Sequence, residues 1–212
     1  MGHEITLFGT GSNRSARLAW TLAELGITAD IISHEGMIGG PELQRLHPLG
    51  KIPAAYINGS PLFESTAICQ YLCAITEGQT LLAREGSIQR ALHDQWTSFS
   101  QSEIENYLWN NFQLRRSFTE SEHFSAALRF NNGAITRGLV VMEQHLMDRE
   151  FILGDSYSLA DILVGWTINW ARKSDFLIDT PNLDRYLQAL FQRSNIKYVS
   201  YTHLTLPTIC SV

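Results

Sequence analysis

One stretch constrains this chain more than any other: Leu49 to Tyr71, LGKIPAAYINGSPLFESTAICQY. Ile52 to Ile57 reads as a short strand, with Pro53 where a strand tolerates a missing N–H. Asn58-Gly59 is the strongest two-residue hairpin signal in the sequence, because both residues accept positive φ. Pro61 to Phe63 returns as the partner strand. Glu64-Ser65 then stand where a helix should start, and Ala67, Ile68, Tyr71 and Leu72 follow at helical spacing.

Three parts of this stretch suit a ligand with an amino-acid head and a peptide body. The residue before a proline is held extended, so Ile52 offers its backbone N–H and C=O to an extended ligand. A helix N-terminus carrying Ser65 gathers free N–H groups and partial positive charge, which favours a carboxylate. Beside it, Glu64 is placed to hold an ammonium group.

The chain upstream supplies the rest of a small domain. Glu4 to Gly9 alternates polar and apolar residues as a strand does. Thr10 to Asn13 is a turn of cap-forming residues, and the apolar positions from Ala16 to Leu25 make a helix that Gly26 closes. Ala29 to Ser33 gives a second strand, parallel to the first because a crossover helix joins them. Pro41 to Leu46 is a short helix at best. The order βαβαββα is an α/β, thioredoxin-like arrangement.

His47-Pro48-Leu49-Gly50-Lys51-Ile52-Pro53, a hairpin, and then Glu64-Ser65-Thr66-Ala67-Ile68 resemble the glutathione-binding signature of the glutathione S-transferase family. The resemblance implies a cis bond at Pro53 and glutathione held by Lys51, Ile52, Pro53, Glu64 and Ser65. It also implies an all-α second domain. Beyond a linker at 78–86 the chain does read as helical, first over Ser87 to Ser117 and then over Glu120 to Met147. Gly133 and Gly138 weaken the second of these helices. Ser158-Leu159-Ala160-Asp161 is a capping-box variant ahead of a helix apolar on several faces, so Asp161 should be buried and satisfied by backbone N–H groups. The family has such a box in its C-terminal domain. The expected domains are therefore 1–77 and 87–199. Residues 200–212 resemble the translated remnant of a sequencing adapter and are expected to be a non-native tail.

The chemistry the family performs needs a thiolate. Glutathione's thiol, with a pKa near about 8.5, is only about 3% ionised at neutral pH. A hydroxyl donating to sulfur at the positive end of a helix lowers that value. Ser12, counted back from the Leu25-Gly26 helix end, falls where serine-type members place the catalytic hydroxyl. Asn13 and Ser15 are rivals, and an ordinary helix cap is the other reading of Ser12. No Tyr or Cys lies in this turn, so the resemblance points to a bacterial-type, serine-type branch. Arg14 and Arg17 either add positive potential near the thiol or lie on an exposed helix face, and the exposed face is the expected reading. Tyr107, Trp109, Phe112 and Trp166 are candidates to line the electrophile's pocket, although aromatics at helical spacing are more often core.

Composition narrows the rest. With 212 residues, 44% of them apolar, the chain is long enough for one large domain or two small ones. A net charge of −5 argues against general nucleic-acid binding and leaves an anionic ligand to be attracted by local groups. No run approaches the ~20 apolar residues of a membrane span, and no signal peptide is recognisable. Three cysteines without metal-ligand spacing fit a reducing compartment. Cys69 and Cys73, one turn apart, read as small buried residues. The expectation is a cytoplasmic, homodimeric transferase with glutathione as cosubstrate, no metal, and a small electrophile as second substrate. The alternative is a regulatory or scaffolding module of the same fold, or a carrier of hydrophobic ligands, without turnover.

Overall fold

The computed structural model describes residues 3–118 and 122–196; the expected tail, 200–212, lies outside them. The chain divides into two compact units, residues 3–82 with 192–196, and residues 83–191.

The first unit has the order expected from the sequence. It runs β1 (Ile5–Phe8), α1 (Ser15–Leu25), β2 (Asp30–Ile32), α2 (Pro41–Gln44), β3 (Ala54–Ile57), β4 (Ser60–Phe63) and α3 (Ser65–Ile75). The strands form one sheet in the order β2-β1-β3-β4. β1 and β2 are parallel, as a crossover helix requires, while β1–β3 and β3–β4 are antiparallel. Gly26 closes α1 at φ 66°, and the β3–β4 turn places Asn58 at φ 49° and Gly59 at φ 82°, both left-handed as a two-residue hairpin needs. Ala54, Ala55 and Ile57 of β3 and Ile68, Cys69, Leu72 and Cys73 of α3 are buried. The two cysteines are thus core residues.

The second unit is all helical: α4 (Ile88–Ser100), α5 (Asn106–Ser117), α6 (Glu122–His145), α7 (Leu159–Lys173) and α8 (Pro181–Phe191). The helix expected over Ser87 to Ser117 is interrupted by a π-helical turn at Gln101–Glu105. Gly138 of α6 explains the fit there. A Cβ on it would lie 2.6 Å from Ile104 Cγ1 and 3.0 Å from the Glu103 carbonyl oxygen, so α6 approaches the widened turn only because the position is glycine.

Asp161 behaves as the capping-box reading requires. It is fully buried and accepts from Ile152 N at 2.8 Å, Ser158 N at 2.8 Å, Ser158 Oγ at 3.0 Å and the Tyr186 hydroxyl at 3.0 Å. The sequence assigns 174–199 to the all-helical domain without marking an individual helix, and α8 forms there. Its first N–H groups are satisfied from afar, Glu143 accepting from Asn182 N at 3.0 Å and Leu183 N at 2.9 Å. Among the described residues no helix is long and apolar enough to cross a membrane.

Candidate functional site at the sheet end

The register of the sheet gathers the singled-out residues of the first unit. Phe8 pairs with Ala54, and Ala54 pairs with Phe63. The next residue outward in each strand is Gly9, Pro53 and Glu64, so these three stand in a row across one end of the sheet. β1 and β4 are both antiparallel to β3 and so point the same way. The helices that follow them, α1 and α3, therefore both present their N-termini at this end, where partial positive charge favours an anion. Local backbone groups thus supply an attraction that a net charge of −5 does not.

The Ile52-Pro53 peptide is cis, as the resemblance implied. Pro53 is buried and Ile52 half-buried. Among the described residues neither backbone group of Ile52 takes a hydrogen-bond partner, which leaves both free for an extended ligand. Gly9 lets the loop approach this closely. It sits at φ 106°, and a Cβ there would fall 2.7 Å from both Ile52 Cβ and Ser15 Oγ.

Glu64 is exposed and has φ 70° and ψ 114°. A non-glycine residue there costs roughly 1–3 kcal/mol, and such strain gathers at functional sites. The distortion turns the chain from β4 directly into α3, whose first residue, Ser65, is only 3% exposed. Lys51 is exposed on the loop before Pro53.

The turn after β1 separates the rival hydroxyls. Asn13 does the capping: its Oδ1 accepts from Ser15 N at 2.8 Å while its Nδ2 donates to the Thr10 carbonyl at 2.7 Å. Ser12 is exposed, and among the described residues its hydroxyl caps no helix N–H. Ser15 is buried at 4% exposure, and its Oγ has no hydrogen-bond partner among the described residues. The turn thus offers one solvent-facing and one buried hydroxyl at the start of α1.

Arg17 corrects the sequence reading. It does not lie on an exposed face but is 1% exposed, and its Nη1 donates to Ser65 Oγ at 3.3 Å. A basic residue inside the first turn of an amphipathic helix gave no local signal of burial. The reason is tertiary: α1 packs on α3.

In the second unit, Trp166 is buried in α7 and so belongs to the core. Trp109 and Phe112 stack at 5.4 Å, and Tyr107 meets Phe130 edge-on at 6.1 Å. Phe112 and Phe130 are exposed.

Comparison with known proteins agrees with this geometry. A family model described as "Glutathione S-transferase, N-terminal domain" matches residues 11–75, and one described as "Glutathione S-transferase, C-terminal domain" matches residues 125–189. The chain has the fold of the glutathione S-transferase superfamily. A solved structure with this glutathione S-transferase fold is the glutathione transferase URE2P6 from Phanerochaete chrysosporium, in complex with oxidized glutathione. It superposes with a TM-score of 0.83 at 24% identity, over 94% of this chain and 96% of that one. Glutathione S-transferase 3 from Schizosaccharomyces pombe is 25% identical over 89% of this chain and 84% of its own length. Probable elongation factor 1-gamma 2 from Arabidopsis thaliana is 30% identical over 75% of this chain. The chain spans between 38% and 48% of the length of the elongation factor 1-gamma relatives that it matches.

Proposed function

We propose that the protein is a cytoplasmic, homodimeric glutathione S-transferase of the bacterial, serine-type branch, in which the glutathione thiolate conjugates or reduces small electrophiles. The observation that carries this reading is the row Gly9, Pro53 and Glu64 at one sheet end, flanked by two helix N-termini. In this reading the unpaired backbone of Ile52, beside cis Pro53, binds the peptide body of glutathione. Glu64 holds its ammonium group. Ser65 and the α3 N–H groups hold the adjacent carboxylate, and Lys51 meets the other one.

Ser12 donates its hydroxyl to the thiolate. Lowering the thiol's pKa by ~2 units is worth about 2.7 kcal/mol of differential stabilisation, within reach of such a bond beside a helix N-terminus. The thiol proton goes to solvent. In conjugation the sulfur attacks the electrophilic carbon, and a leaving group departs with the bonding electrons. In reduction it attacks a peroxide oxygen or a disulfide sulfur, and a second glutathione then completes glutathione disulfide as the oxidised product. The second substrate is a small, largely apolar electrophile.

A second reading is favoured by the 30% identity to a probable elongation factor 1-gamma. In it the chain is a module of the same fold without turnover. Calorimetric titration with glutathione, followed by an assay with an activated aryl halide, separates the two. Binding at about millimolar strength, about −4 kcal/mol or better, with turnover, supports the transferase. A folded protein that produces no binding heat at two temperatures supports the module.

A further inference from the structure

We propose that Arg17 is a positioning residue that fixes the direction of the Ser65 hydroxyl, making it a donor toward the carboxylate of the γ-glutamyl group. This role rests on the glutathione reading above.

A serine hydroxyl rotates freely between donating and accepting, whereas a guanidinium only donates. Arg17 Nη1 donates to Ser65 Oγ at 3.3 Å, and both side chains are buried, at 1% and 3% exposure. A lone pair of Oγ is thereby engaged from the core side. The Ser65 proton is turned the other way, toward the sheet end where the α3 N–H groups also point outward. The result is a cluster made only of donors, which a carboxylate satisfies and an ammonium or amide N–H does not. The cation is also felt one turn along the same face of α3. Burial pushes the Cys69 thiol up to about 12, against smaller opposing effects of a Thr21 hydrogen bond and of the Arg17 charge.

The test is calorimetric titration with glutathione and with its analogue in which the γ-glutamyl α-carboxylate is an amide. The proteins are wild type, Ser65→Ala, Arg17→Met and the double variant. Arg17→Met is expected to weaken glutathione binding about tenfold and to reduce the preference for glutathione over the amide by the same factor. The double variant should lose no more than Ser65→Ala alone. Equal weakening toward both ligands makes Arg17 a packing residue and overturns the role. So does a double variant well below Ser65→Ala, because Arg17 then acts through its own charge. If Arg17→Met does not fold, Arg17→Gln replaces it. Its amide can accept as well as donate, so the preference should again fall, and an unchanged preference overturns the role. Absence of glutathione binding by the wild type overturns the functional reading itself. Binding with unaltered selectivity in the variants overturns only the role of Arg17.

Discussion

Glu24 and Arg193 meet in a two-pronged ion pair, Nε to Oε1 at 3.0 Å and Nη2 to Oε2 at 3.1 Å, although 169 residues separate them. Trp20 Nε1 and Asn195 Nδ2 complete the set of donors to the same carboxylate, at 3.1 and 3.0 Å. The segment after α8 is thereby tied to α1 within the first unit. The sequence reading placed that segment in the helical domain.

This clamp has a defined pH dependence. Burial raises the Glu24 pKa, but the bonds from Arg193, Asn195 and Trp20 outweigh it, so the carboxyl lies below its ordinary 4.5. A lowered value means that the stabilisation is present above 4.5 and is lost as pH falls through the lower, folded value. Glu24→Ala should cost about 2 kcal/mol at neutral pH, and the cost should fade in melts as pH falls below the ordinary 4.5 and through the lowered, folded value. A cost that persists unchanged in acid would mean that Glu24 acts by packing alone.

Ser12 and Ser65 should fail in different ways. Ser65→Ala is expected to weaken glutathione binding by roughly 1–3 kcal/mol, the loss of a hydrogen bond to a charged group. Ser12→Ala should leave binding near wild type and lower kcat, because its bond is made to the thiolate. The check is a titration of the bound thiol by its ultraviolet absorbance alongside steady-state kinetics. If Ser12→Ala changes neither, Ser15→Ala is the next variant, since its buried hydroxyl flanks Gly9 as Ile52 does, each 2.7 Å from where a Gly9 Cβ would stand.

Asp161 moves in the opposite direction from Glu24. Burial pushes its carboxyl up to about 6 despite the bonds from Ile152, Ser158 and Tyr186. A raised value means that the contribution is fully present below the ordinary 3.8 and is lost as pH rises through about 6. Asp161→Asn does not titrate. The stability advantage of wild type over this variant should therefore grow, by ~2 kcal/mol, between about pH 7 and pH 4 in urea unfolding. An advantage that shrinks on acidification would mean that the four donors outweigh burial.

Gly138→Ala should be far more costly than a mid-helix Gly→Ala change usually is. Propensity alone would favour alanine by about 1 kcal/mol, but the new methyl would meet Ile104 and the Glu103 carbonyl. Overpacking of this kind costs typically about 1–3 kcal/mol, so a lowered denaturation midpoint is expected. Gly133→Ala is the control: among the described residues its Cβ would meet only the end of the Arg137 side chain, at 3.4 Å.

The sequence by itself determined the elements whose causes are local. Asn58-Gly59 dictated the hairpin, Gly26 the end of α1, and Ser158 with Asp161 the start of α7. The Glu64-Ser65 junction was legible because a hairpin and a helical period meet there. The tertiary structure alone decided what depends on distant partners. Arg17 is buried because α1 packs against α3, and α8 begins where Glu143, some forty residues earlier, accepts its first N–H groups. The π-helical turn sits opposite a glycine of another helix. Gly9, Pro53 and Glu64 form one site only through strand register, which no single segment encodes. Short-range preferences fix each element. The choice among buried polar partners is made only when the elements pack, because an unpaired buried group costs more than local propensity can return.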